Sequence, residues 1–438
     1  MAMAMAMATN GEATAGETGW EEGWGVALEG GGWENGWSMG GGVMLGLSEL
    51  APRVVQSEIR AMSVACDAVG GVNLAQGVCD TEVPAVVMEA AQRAMREGHN
   101  IYTRLDGIAR LRRAIAEKVD ATTGLRVDAE REVLVTSGAT GAMHATVLAL
   151  LNPGDEVLLF EPFYGYHVST LRAARCVPVA VEMEAPAEGK TGWGLDLGRV
   201  RAAVTGRTRA MVINTPSNPA GKVFTRAELE GLAEIAREHD LYVFTDEIYE
   251  YFVYGDAEHV SPWALPGMRE RTVLMSGFSK TFSVTGWRVG YLVADARWLP
   301  SIGYFHDLTY VCAPAPAQHG CAVGLEELGQ TFYARLALDH EGKRARLVEA
   351  LRAAGMTPDV PDGAYYILAD ASRLEGSTGA EKARTLLRET GVAAVAGSAF
   401  FSQRAGQRNR GEDLLRFCFA KTDEDLDEAC RRLAQFRA

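Results

Sequence analysis

The 438-residue sequence has no uninterrupted apolar run near the roughly 18–20 residues that a membrane-spanning helix requires, so no span is expected. Basic charge is also short. Lys and Arg total 43 against 57 Asp and Glu, a formal charge of −14, and no basic face is concentrated for phosphate backbones, which argues against a nucleic-acid partner. Its seven cysteines (Cys66, Cys79, Cys176, Cys312, Cys321, Cys418 and Cys430) are scattered and never form a Cys-x-x-Cys pair. That pattern reads as reduced thiols, with neither a disulfide framework nor a metal site. The opening MAMAMAMATNGEATAGETGW lacks the basic n-region and long apolar core of a signal peptide, so a cytoplasmic location is expected. Residues 1–46 contain no lysine or arginine, and set Trp20, Trp24, Trp33 and Trp37 among glycines. They read as a disordered or mis-annotated leader, with Met44 a plausible alternative start and a tryptophan-bearing arm the competing reading.

What is present is globular: 47% of residues are hydrophobic, on a chain long enough for two or three domains. From about residue 130, short apolar runs alternate with helical periodicity: VLVTS at 133, VLLF at 157, VPVAV at 177, RAMVIN at 209, LYVFTDE at 241, TVLMSG at 272 and VGYLVA at 289. Several lack the polar alternation of a half-exposed strand, and amphipathic stretches such as RAELEGLAEIAREHD separate many of them. The expectation is an α/β fold, with a large domain built on a mostly parallel sheet of about seven strands. After residue 328 a long helix, a strand at YYILAD, further short elements and a final helix suggest a smaller α+β domain. The expected division is 1–46 leader, 47–95 N-terminal part of the small domain, 96–327 large domain and 328–438 C-terminal small domain.

Ligands of open α/β sheets bind beyond the carboxyl ends of strands, and the residues just after these runs are suggestive. SGATGAM, with Gly138, Ala139 and Thr140, opens a helix whose free N–H groups suit a phosphate as well as they suit a simple cap. EPFYGYHV offers the Tyr164 ring, TPSNPAGKVF offers Asn218 in a turn, and DEIYEYF carries Asp246 and Tyr249. Taken alone, each is compatible with ordinary loop chemistry. SGFSKTFSVTGWRVGY is more pointed: Lys280 lies among Phe278, Ser279 and Phe282, where partial burial would favour its nucleophilic amine, and Arg288 follows with a fork of donors that suits a phosphate.

In this order, SNPAG, TDEIY and the Gly-x-Ser-Lys signature running to GWRVG resemble the class I/II aminotransferases, pyridoxal 5′-phosphate enzymes of fold type I, over roughly residues 47–438. VNLAQG at 72, IYTRLDGIARLRRAIA at 101, GVAAVAGSAF at 391 and LLRFCFAKTDEDLDEACRRL extend the likeness, and the wording of VINTPSNPAGKVF and TFSVTGWRVGY is similar to the kynurenine and glutamine transaminase group. The resemblance implies that Lys280 carries the cofactor as a Schiff base and acts as the base. Asp246 then faces the pyridine nitrogen, Asn218 and Tyr249 bond the phenolic oxygen, and Tyr164 stacks on the ring. Arg288, Ser279 and the backbone of Gly138, Ala139 and Thr140 hold the phosphate, with Tyr102 reaching it from the second subunit of a homodimer. Arg416 and the backbone of Gly77 take the substrate carboxylate. The chain departs from the family pattern in having Gly277 where many relatives place a phosphate-binding serine, which leaves Ser276 or Ser279 to supply the hydroxyl. Thr140 stands where relatives acting on acidic substrates carry lysine. The implied activity is a ping-pong exchange between an L-amino acid, neutral or aromatic, and a 2-oxo acid. A β-lyase or an aspartate aminotransferase on the same site, and a non-catalytic amino-acid sensor, remain open.

Overall fold

The computed structural model describes residues 46–51, 58–186 and 192–436. The expected leader, with its four tryptophans and Met44, lies outside the described residues apart from Gly46. The unit Glu49–Ala438 carries every element that follows.

A short strand, β1 (Val72–Asn73), precedes the main sheet, which is built from β2 (Val133–Thr136), β3 (Glu156–Glu161), β4 (Val177–Glu182), β5 (Thr208–Asn214), β6 (Tyr242–Asp246), β7 (Thr272–Gly277) and β8 (Gly290–Val293). Their spatial order is β2-β8-β7-β6-β5-β3-β4. Pairings from β7 through β4 are parallel, while β8 runs antiparallel to both β7 and β2. The seven apolar runs thus form one sheet, and their lack of alternation has a direct cause. Val157 and Leu159 of β3 enter one cluster with Val212, Phe244 and Val273, whereas Leu158 enters another with Met211, Ile213 and Val243. Both faces are covered, so neither can be polar.

Helices cover those faces. Arg226–Glu238, which joins β5 to β6, begins in a capping box in which Thr225 and Glu228 satisfy each other's backbone N–H groups, and it buries Leu229, Leu232, Ile235 and Ala236 on one side. C-terminal to the sheet run the 24-residue helix Gln330–Ala353, β9 (Thr357–Pro358), β10 (Tyr366–Asp370), β11 (Val392–Ala393), β12 (Val395–Ala396) and β13 (Leu414–Cys418). The strands β12-β13-β10-β9 make an antiparallel sheet, and β1 pairs in parallel with β11. Val72 and Leu74 accordingly share a core with Leu347, Ile367 and Phe417. No helix among the described residues is long and apolar enough to cross a membrane.

Candidate active site

The parallel strands deliver their carboxyl ends to one edge of the sheet, and the predicted residues sit there. β2 leads into Gly138, β3 into Tyr164, β5 into Asn218, β6 ends on Asp246 with Tyr249 beyond it, and β7 leads into Ser279 and Lys280. From the antiparallel C-terminal sheet, β13 contributes Arg416, and β10 contributes Tyr366.

Lys280 Nζ donates to the Gly77 carbonyl at 2.9 Å and lies 5.7 Å from the centre of the Tyr365 ring. Burial of the amine pushes its pKa down from 10.5 to about 8, against the attraction of the Cys418 and Cys79 thiols. An appreciable fraction is therefore unprotonated and nucleophilic near neutral pH.

Asp246 is nine-tenths buried, and its carboxylate accepts from His167 Nε2 at 3.0 Å and from the Ile248 N–H at 3.3 Å. His167 lies in the helix Gly165–Ala173 immediately after Tyr164, whose ring meets the His167 ring edge-on at 5.3 Å. Burial raises the Tyr164 and Tyr249 hydroxyls well above the ordinary phenol range, so both are neutral donors. The Tyr249 hydroxyl is 2.9 Å from that of Tyr366.

Arg416 is 1% exposed. Its Nη1 donates to Asn218 Oδ1 at 3.0 Å and its Nη2 to the Ala75 carbonyl at 2.5 Å, while Nε has no partner. The guanidinium lies against the faces of Tyr366 and Phe400, at 4.5 and 4.9 Å from the ring centres. Among the described residues Arg112 is as deeply buried, but it pairs with Asp106 and Glu130, whereas no carboxylate pairs with Arg416. A buried cation without a counter-ion costs several kcal/mol, so this position is built for an anion that arrives.

The second anion site is at the start of the helix Gly138–Leu150, which has no side-chain cap, so its first N–H groups are free. Gly138 has φ +68°, and a Cβ there would stand 2.5 Å from Arg288 Nη2. Gly290 closes the cradle from β8, since a Cβ on it would meet the Ala139 nitrogen at 2.6 Å. Arg288 adopts φ +56° and donates through Nη1 to the Thr285 carbonyl at 2.9 Å. The cradle is bounded by His306, whose Nε2 accepts the Ser137 N–H at 2.9 Å and which burial keeps neutral by lowering its pKa to about 4.

Of the two hydroxyls that the sequence leaves for the phosphate, Ser276 is engaged elsewhere. Its Oγ donates to Glu250 Oε1 at 2.9 Å and lies 3.3 Å from the Glu247 carbonyl, while Ser279 is buried beside Lys280. Thr140 is exposed at the cradle, and Tyr102 is 79% exposed on the surface. Gly77 is fixed by close approach: a Cβ there would fall 2.1 Å from the Tyr366 hydroxyl. His167, His306 and Tyr366 are the site residues that sequence reasoning missed. The one available signal was positional: His167 is three residues past Tyr164 in the segment after β3, and Tyr366 opens YILAD opposite β13.

These residues fit pyridoxal phosphate in chemistry as well as in count. The amine is desolvated, an acidic group is held ready by a histidine, an uncapped helix start lies under a guanidinium, and a second guanidinium waits without a counter-ion. A lysine-centred, two-anion pocket at the carboxyl edge of an α/β sheet defines an enzyme that handles small carboxylates through an amine.

The sequence profile of the family described as aminotransferase class I and II matches residues 69–433. The chain belongs to that family and is a pyridoxal phosphate-dependent transaminase of fold type I. It is 38% identical over 377 residues to the probable N-succinyldiaminopimelate aminotransferase DapC of Mycobacterium tuberculosis, covering 85% of this chain and 94% of that one. It is 33% identical to the kynurenine–oxoglutarate transaminase 3 of Homo sapiens, over 82% of this chain and 83% of the relative. Among solved structures it is similar to N-succinyldiaminopimelate aminotransferase from Mycobacterium tuberculosis, with a TM-score of 0.84 at 36% identity over 89% of this chain and all of that one, and to YbdL of Escherichia coli, identified as a methionine aminotransferase, with a TM-score of 0.83 at 31% identity over 90% of this chain and all of that one.

Proposed function

We propose that the enzyme transfers the amino group of a neutral or aromatic L-amino acid to a 2-oxo acid by a ping-pong route, and that the observation carrying this reading is Arg416. A single buried guanidinium that no carboxylate neutralises serves the α-carboxylate common to every amino acid. Selection for a dicarboxylate requires a second cation, yet the groups against Arg416 are the Tyr366 and Phe400 rings and the Asn218 amide. Two of the relatives' names, kynurenine–oxoglutarate transaminase and methionine aminotransferase, support the same direction, while the third, N-succinyldiaminopimelate aminotransferase, names a substrate with additional carboxylates.

When bound, pyridoxal phosphate supplies the electron sink that makes the substrate α-proton acidic. Lys280 Nζ would hold the cofactor, and its free amine would take the substrate α-proton and give it back. Asp246, steadied by His167, would keep a proton on the ring nitrogen, and Tyr249 and Asn218 would donate to the phenolic oxygen. Arg288, Ser279 and the N–H groups of Gly138, Ala139 and Thr140 would hold the phosphate, and Tyr164 would offer its ring to the cofactor. Arg416 and Gly77 orient the substrate.

The reading includes a homodimer in which Tyr102 completes the partner's phosphate site. Ile101 and Tyr102, together with Tyr304 and Leu308 of the helix Leu299–Tyr310, are large and exposed, and favour an apolar interface. Division of the chain near residues 95 and 327 and a cytoplasmic setting with free thiols also belong to it. The test is a panel of amino donors scored by loss of the cofactor's visible absorbance and by kcat/KM. Phenylalanine, methionine or glutamine is expected to exceed aspartate, by about 1–3 kcal/mol per well-buried group. A clear preference for aspartate overturns the substrate class, and turnover without any oxo-acid acceptor points to β-elimination.

A further inference from the structure

The Tyr365 and Tyr366 hydroxyls both stand against Gly77, and the second of them meets Tyr249. Tyr365 donates to the Gly77 carbonyl at 3.3 Å, the same oxygen that accepts from Lys280 Nζ at 2.9 Å. The Tyr366 hydroxyl is 2.9 Å from that of Tyr249, within hydrogen-bond distance. Each hydroxyl has one proton to give. The Tyr249–Tyr366 pair therefore has two arrangements. In one, Tyr249 donates to Tyr366, which leaves Tyr249 an acceptor toward the pocket. In the other, Tyr366 donates to Tyr249, and Tyr249 donates into the pocket.

We infer that Tyr366 is a positioning residue for the reaction: by donating its proton to Tyr249, it commits the Tyr249 proton to the pocket, where an anionic oxygen of the cofactor would accept it. Its position is fixed. The Tyr366 ring is held on one face by the Arg416 guanidinium at 4.5 Å, and its hydroxyl is held against Gly77, whose lack of a Cβ makes the approach possible. The ionisable groups facing the pair are Tyr164 and Asp246 on the Tyr249 side, and Arg416, Cys418 and Tyr365 on the Tyr366 side. An anion in the pocket selects the second arrangement, because only that one presents a donor to it. A donor polarised by a hydrogen bond to its own oxygen is itself the stronger donor.

This rests on the cofactor reading above, and the two can fail separately. The test is Tyr366→Phe in the cofactor-loaded enzyme, read as the pH midpoint of the resting enzyme's visible absorbance change. The ring and its contact with Arg416 stay, and only the hydroxyl goes. The midpoint is expected to rise by about 0.1–0.7 pH unit, the size of a 10–30% polarisation of a charge-assisted hydrogen bond. In a Tyr249→Phe background the same substitution is expected to change nothing further. A midpoint that stays or falls overturns the inference, a fall because it means that Tyr366 had been competing for the Tyr249 proton. Additive shifts in the double variant overturn it as well. If Tyr366→Phe does not accumulate as folded protein, 3-fluorotyrosine incorporated at Tyr366 acidifies the donor at nearly constant size and is expected to lower the midpoint; a rise or no shift there counts against the inference. Absence of any visible band after reconstitution, or no borohydride-fixed adduct on Lys280, marks failure of the cofactor reading instead.

Discussion

Replacing Lys280 with methionine tests whether the structure has placed a reluctant charge at the end of β7. Burial lowers the amine's pKa from 10.5 to about 8. An unfolded chain therefore holds this proton up to about pH 10.5, while the folded cofactor-free protein releases it through about pH 8. Between those values the unfolded state binds more protons, so stability rises with pH; below pH 8 the whole penalty is present. A depression of this size corresponds to at most about 3 kcal/mol, and because the side chain is partly exposed, about 1–3 kcal/mol is expected. Methionine fills similar space without the charge and forfeits the bond to Gly77, a loss that does not vary with pH. The measurable quantity is thus the difference in stability between Lys280→Met and wild-type cofactor-free protein. It is expected to be most favourable to the variant at pH 7, and to move toward wild type by about 1–3 kcal/mol on going to pH 9.5–10. Urea titrations or thermal melts across that range supply it. A difference that is flat with pH, or that moves toward the variant as pH rises, refutes the desolvated amine.

Two further substitutions probe the anion sites. Arg416→Met is expected to raise KM for every amino donor, by roughly 2–5 kcal/mol in kcat/KM, because the α-carboxylate loses its desolvated partner; a loss confined to one donor shows that Arg416 contacts the side chain instead. Gly138→Ala forces a left-handed residue and sets a methyl against the Arg288 fork, so cofactor affinity is expected to fall about tenfold or more, measured by fluorescence titration of the cofactor-free protein. Unchanged affinity there removes the helix start from the phosphate site.

The main sheet was legible because runs such as EVLLFE and TVLMSG are buried at every position, leaving an unbroken apolar signature. The reversal of β8 was not, since GYLV in an antiparallel central strand reads like any buried strand. Nor was edge exposure: Val177 of β4 is 44% exposed though VPVAV looks uniformly apolar. Site residues that follow a strand end could be found from position and motif. His167 against Asp246, His306 against Ser137 and Tyr366 against Tyr249 are separated by 79, 169 and 117 residues, and no local pattern encodes such pairs. Arg104, two residues past Tyr102, pairs with Asp106 and Glu130 in its own chain, which the sequence does not show either.

The pairing of Arg416 with the Ala75 carbonyl spans 341 residues, and that of Lys280 with Gly77 spans 203. Sequence separation does not order their assembly, however, because the Gly77 segment is itself seated on late elements: β1 pairs with β11, and the Leu74 carbonyl accepts the Cys418 N–H. The amine's carbonyl partner and the carboxylate clamp are thus completed together by the part of the chain from β11 onward. A chain truncated before β11 is expected to lose both at once.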